Sequence, residues 1–164
     1  MRRIVLFTFP LLFLTTLSAP AGKDAGDYLT KEGTLKQPLE ILDVQGGFAG
    51  FTGTLLSVQP DGAWKRASVF PKKSKILQEG TFSKKQVREL AAALAKYDLL
   101  HLTDSGKPST NPHNVSLTFG KHTSELRLKG GEKLPPAGDS VAGRYAGIVR
   151  IVQELCKAKA GGKK

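Results

Sequence analysis

Two short segments of this chain alternate polar and apolar residues, the first strictly and the second from Glu125 onward. They are Asn114-Val115-Ser116-Leu117-Thr118-Phe119 and Thr123-Ser124-Glu125-Leu126-Arg127-Leu128. A period of two sends successive side chains to opposite faces of a strand. Gly120-Lys121 lies between them and is enough to reverse the chain. The pair therefore predicts a half-buried β-hairpin, with Val115, Leu117, Phe119, Leu126 and Leu128 inward. Such a hairpin needs helices or further strands to cover its apolar side.

The rest of the chain supplies both. Residues 39–44 alternate in part and read as a strand. Residues 54–59 and 63–70 read as two more, joined by Pro60-Asp61-Gly62, in which Pro presets φ, Asp bonds its own backbone and Gly takes positive φ. Residues 71–75 read as a basic loop and 76–82 as a short extended stretch. Ser83-Lys84-Lys85-Gln86 fits a capping box. Val87, Leu90, Ala91, Leu94 and Tyr97 then recur at helical spacing, with Lys, Arg and Glu opposite. Residues 103–113 read as a long polar loop and 130–138 as a Gly/Pro linker. Asp139 or Ser140 caps a last helix, with the stripe Ala142, Tyr145, Ile148, Val149, Val152, Leu155 and Cys156. Hairpins dominate and no parallel crossover is evident. The predicted fold is α+β: an antiparallel sheet of about four strands, one helix packed on a face, and an added C-terminal helix.

The two ends of the chain read differently. Arg2-Arg3, an apolar run from Ile4 to Leu17 and the small residues of Ala19-Pro20-Ala21 form a secretory signal, cleaved after Ala21. The run is shorter than the ~20 residues that span a bilayer. A secreted or periplasmic location follows. Residues 22–37 mix Gly, Lys, Asp and Thr without periodicity and read as a flexible leader. Residues 38–157 make a single domain. Residues 158–164 read as a disordered basic tail. The formal net charge is +11, but much of it sits in the signal and the tail. The C-terminal lysines suit weak contact with anionic surfaces. The scattered basic residues, with no aromatic platform among them, exclude a nucleic-acid reading. Cys156 is the only cysteine, so it forms no intrachain disulfide and reads as a buried thiol.

Catalytic patterns are missing. His101, His113 and His122 do not fall at metal-ligand spacings, although His113 and His122 approach if they share a hairpin end. No Gly-x-Ser-x-Gly elbow is present. The chain reads as a non-enzymatic monomer that needs no cofactor. Binding surfaces remain. Residues 46–53 hold Gly46, Gly47, Phe48, Ala49, Gly50 and Phe51, a density of glycine that signals backbone freedom or close approach. Two readings stay open: a bulged strand with its phenylalanines in the core, or an exposed segment for a partner. Pro60, Asp61, Gly62 and Trp64 form a secondary candidate, Trp64 being either a core lid or a partner anchor.

Gln45-Gly46-Gly47-Phe48-Ala49-Gly50, a following strand, and Gly80-Thr81-Phe82-Ser83 opening a helix with Val87, Leu90 and Leu94 resemble the emfourin (protealysin inhibitor) family. The resemblance runs over residues 39–128. It implies an antiparallel sheet packed on a helix, somewhat cystatin-like, and reversible occlusion of the cleft of a thermolysin-like zinc metalloprotease. It places residues 46–50 at or near the contact. The signal segment and the last helix with its tail depart from the family pattern, and no Gln-x-Val-x-Gly loop of cystatins is found. The alternative is a structural or protein-interaction module of the cell envelope without inhibitory activity.

Overall fold

The computed structural model describes residues 24–71 and 73–160. The expected secretory signal over 1–21, with its cleavage point, lies outside them, as do residues 161–164 of the basic tail. Six strands form one antiparallel sheet in the order β4-β3-β2-β1-β5-β6. They are β1 (Leu39–Gln45), β2 (Thr52–Val58), β3 (Ala63–Phe70), β4 (Lys73–Thr81), β5 (His113–Phe119) and β6 (His122–Leu128). The expected α+β class with an antiparallel sheet is present, with more strands than the four predicted. The basic residues 73–75, which read as a loop, pair with 68–70 and open β4. The central strand β1 pairs with β2 on one side and with β5 on the other, Ile41 facing both Leu56 and Leu117.

Both helices bury their stripes against the same face. Helix α1 (Lys84–Lys96) starts at the expected capping box, with the Gln86 amide donating to Ser83 and the Gln86 side chain accepting from the Ser83 amide. Val87, Leu90 and Leu94 of α1 join Leu39, Ile41, Val115 and Leu117 of the sheet in one core. Helix α2 (Val141–Ala160) adds Tyr145, Ile148, Val149, Val152, Leu155 and Cys156 to that core. It is half of the helical layer rather than an appendage. Ser140 caps it by accepting from the Gly143 amide at 3.0 Å. Arg144 then ties the helices together. Its guanidinium donates to the carbonyls of Tyr97 at 2.8 Å and Asp98 at 2.9 Å, satisfying acceptors left open at the end of α1.

Among the described residues, the opposite face of the sheet carries no helix. By strand alternation it is polar on β5 and β6, with Ser116, Thr118, Glu125 and Arg127 outward. On the other four strands it is mixed: an apolar row, Leu42, Leu55, Ala67 and Ile76, runs beside a polar row, Glu40, Ser57, Lys65 and Glu79.

The expected flexible leader is corrected over its described part. Tyr28 is fully buried and Leu35 is 1% exposed. The Tyr28 ring sits 5.4 Å from that of Phe119, and its hydroxyl accepts from the Leu100 amide at 3.3 Å. The Leu35 amide donates to Pro60 O at 3.0 Å. A single aromatic in a polar stretch shows no periodicity, so this docking leaves no pattern to read. The tail boundary also moves, since α2 continues through Ala160.

Two outcomes follow from this core. Tyr28→Ala should cost about 3–5 kcal/mol, the range for removing a large buried aromatic, read as a lower urea midpoint. An unchanged midpoint would make residues 24–37 peripheral. Burial pushes the Cys156 thiol up to about 11, above the ~8.5 of an unfolded chain. The buried neutral thiol therefore adds stability that is full below the unfolded value and is lost as pH rises through about 11. Burial also raises Tyr28 and Tyr145, so Cys156→Ala should lessen the alkaline loss without abolishing it. An identical loss in that variant would contradict the assignment.

Candidate functional site: the β1–β2 hairpin tip

The glycine-rich segment closes the β1–β2 hairpin. Gly47 N–H donates to Gly50 O at 3.1 Å, and Gly50 N–H donates back to Gly47 O at 3.0 Å. Phe48 and Ala49 sit between them at the apex. Gly50 has φ +99°, a conformation that follows a two-residue turn in hairpins with a glycine bulge. A Cβ at Gly50 would also lie 3.1 Å from Pro71 Cγ, so glycine is required there twice over.

The base of the tip is fastened to its surroundings. Gly46 N–H donates to Pro112 O at 2.7 Å, and a Cβ on Gly46 would come within 2.9 Å of Pro112 Cδ. The Gln45 side chain donates to Asn111 O at 2.7 Å and accepts from the Gly131 amide at 3.1 Å. His113, on β5 beside it, places Nε2 2.8 Å from Asp43 Oδ1 and Nδ1 2.6 Å from Glu132 O. The turn is thus carried on the end of β1 and held by the loop before β5 and the loop after β6.

Of the residues singled out in the sequence, the structure brings five together here. Phe48 is fully exposed, at 110%, and Gly47, Ala49 and Gly50 are exposed beside it. The core reading of Phe48 is thereby removed. Gly46 is buried and belongs to the fastened base of the tip, not to its surface.

The second candidate does not join the first. The Pro60-Asp61-Gly62 turn lies at the other end of β2, a seven-residue strand of about 20 Å. Asp61 accepts from the Ala63 amide at 2.9 Å, and Gly62 takes φ +87°. The Gly62 carbonyl accepts from Phe82 N at 2.8 Å, and Gly62 itself is buried. Trp64 is 3% exposed and stacks on Phe82 at 5.9 Å. It is a core residue, which corrects its candidacy as a partner anchor. Its indole lies over Gly80, where a Cβ would come within 2.9 Å of Nε1. His113 and His122 are also apart: His113 faces Leu128 and His122 faces Phe119, at opposite ends of the β5–β6 hairpin.

The sequence places Phe51 with the tip but does not show the rest of the company the tip keeps. Phe51 is 46% exposed, Phe70 55%, Ile76 53% and Leu77 48%. A phenylalanine at a strand end reads as core, and only the composition of the surrounding turns hints otherwise.

No protein-family model matches this chain, and no curated protein matches it.

Phe48→Ala should leave the melting temperature almost unchanged, as exposed substitutions usually stay within about 0.5 kcal/mol. Trp64→Ala should cost about 3–5 kcal/mol. Thermal unfolding of the two variants side by side checks the assignment; a large loss for Phe48→Ala would return it to the core.

Proposed function

We propose that the protein is a secreted or periplasmic, non-enzymatic binding module that presents the 47–50 turn to a protein partner and occludes a cleft with it. The observation that carries this reading is the exposure of Phe48 on a turn closed by hydrogen bonds in both directions. A bare aromatic at the apex of a fastened turn contributes nothing to the core and offers a large contact area with little further ordering to undergo. The emfourin resemblance supplies the partner class, a thermolysin-like zinc metalloprotease. Proteases take substrates as extended strands, by pairing with their backbone. A turn whose ends bond one another, on a base tied to Pro112, Asn111 and Gly131, resists being drawn into that form. It would fill the cleft without being cut. The protein itself needs no cofactor for this.

A second reading has its own support. The β4 edge exposes Ile76 and Leu77, which suits an envelope interaction module without inhibitory activity.

Titration of residues 22–164 against thermolysin separates the two. Reversible inhibition is expected, with Phe48→Ala weakening it at least about 30-fold, as for a hot-spot residue. No inhibition at micromolar concentration, of thermolysin or of papain-like proteases, would favour the interaction module.

A further inference from the structure

The tip does not stand alone. Pro71, in the β3–β4 connection, lies against Gly50, with Cγ 3.1 Å from where a Cβ would stand. The two hairpin ends therefore touch, and Phe48, Phe51, Phe70 and Pro71, all exposed, gather at one end of the sheet. Strand alternation sets Phe51 on the phase of Leu55, toward the helix-free face. Phe70 follows the phase of buried Ser68, toward the helix side. Phe48 projects at the apex between them. Apolar groups on both flanks and at the crest make a wedge, the shape that meets two facing walls.

Cations outnumber acids around this wedge. Lys75 on β4, and Lys129 and Lys133 beside the base of the tip, are exposed. Two acids, Asp43 and Glu132, lie near the base of the tip and are hydrogen-bonded within it. Asp43 is held by His113 at 2.8 Å, and the Glu132 carboxylate accepts from the Lys129 amide at 3.0 Å.

We infer that the docking surface is bipartite: the β3–β4 end, through Phe70 and Pro71, enters the partner together with the β1–β2 tip. The partner it fits is a protein cleft with apolar walls and an acidic rim. This rests on the occlusion reading above and names the chemistry of the cleft. The wedge supplies apolar contact and the lysines supply attraction that salt screens.

Two probes test it. With thermolysin, Phe70→Ser and Lys75→Glu should each weaken inhibition about tenfold with unchanged melting. Wild-type strength in both would restrict the surface to the β1–β2 tip and overturn the inference while leaving the inhibitor reading intact. The second probe is bis-ANS, a dianionic aromatic dye that matches an apolar surface with a cationic rim. The wild type should bind it and lose binding at about 1 M salt, where the Debye length is about 3 Å. Phe70→Ser should lose most of the fluorescence. If thermolysin is not inhibited, the inhibitor reading fails and the dye result still decides the surface. Dye binding that ignores both Phe70 and salt would overturn it. Partition of the wild type, but not Phe70→Ser, onto phosphatidylglycerol–phosphatidylcholine vesicles would also overturn it, by making lipid the occupant.

Discussion

The pairing of β1 with β5 is the contact on which the rest depends. It joins the N-terminal meander to the C-terminal hairpin across about seventy intervening residues, from Leu39 against Phe119 to Gln45 against His113. Closing so long a loop carries an entropic cost, which only slowly increases with length. Once closed, it aligns Ile41 with Leu117 and gives α1 and α2 a continuous apolar floor. The same ladder ends where the β1–β2 tip begins. Gly46 extends it by one more hydrogen bond, to Pro112. The tip is therefore an outgrowth of the most deeply anchored strand pair, not a surface loop of independent conformation.

Placing both helices on one face has a second consequence. The far face and the sheet ends must be tolerated in water. On β5 and β6 that is met by Ser116, Thr118, Glu125 and Arg127. On β1 to β4 it is met in part, by Glu40, Ser57, Lys65 and Glu79, while the apolar row from Leu42 to Ile76 runs beside them. The two edges also differ. β6 is covered by the Ser105 segment, whose amide donates to Glu125 O at 2.9 Å and whose carbonyl accepts from the Arg127 amide at 2.8 Å. β4 has no such cover among the described residues; its pairing with β3 shifts register between Arg66 and Ala67, which leaves Leu77 as an extra residue on β4. The two sides of the sheet's outer face therefore differ, polar on β5 and β6 and crossed by an apolar row on β1 to β4.

Local signals in the sequence carried much of this. The alternation of residues 114–128 and the capping box at Ser83 each depend on neighbours within a few positions, and both elements form where those patterns place them. The glycines at 46, 47 and 50 signalled unusual backbone, and Gly46 and Gly50 each meet a specific demand, at the base of the turn and at its end. What was not legible depended on distant partners. Nothing near Tyr28 announces that Phe119 and Leu100 will receive it. Trp64 sits next to a turn and reads as exposed or as a lid; its burial depends on Gly80 leaving room for the indole. Phe70 looks like a core residue, and Phe51 stays open between core and surface, until the sheet ends are known, because strand alternation does not tell where the covering helices stop.

The central claim is that the tip is held rigid by the β1–β5 ladder before any partner arrives. Amide hydrogen exchange of the free protein tests this most directly, because it reports opening at single residues. The amides of Gly46 and Gly50, donors to Pro112 and Gly47, should be protected to a degree approaching that of Val115 and Leu117, while those of Phe48 and Ala49 exchange close to the free-peptide rate. Exchange of Gly46 and Gly50 at the free-peptide rate, with the strands still protected, would show a tip that opens independently of the sheet and would contradict the account.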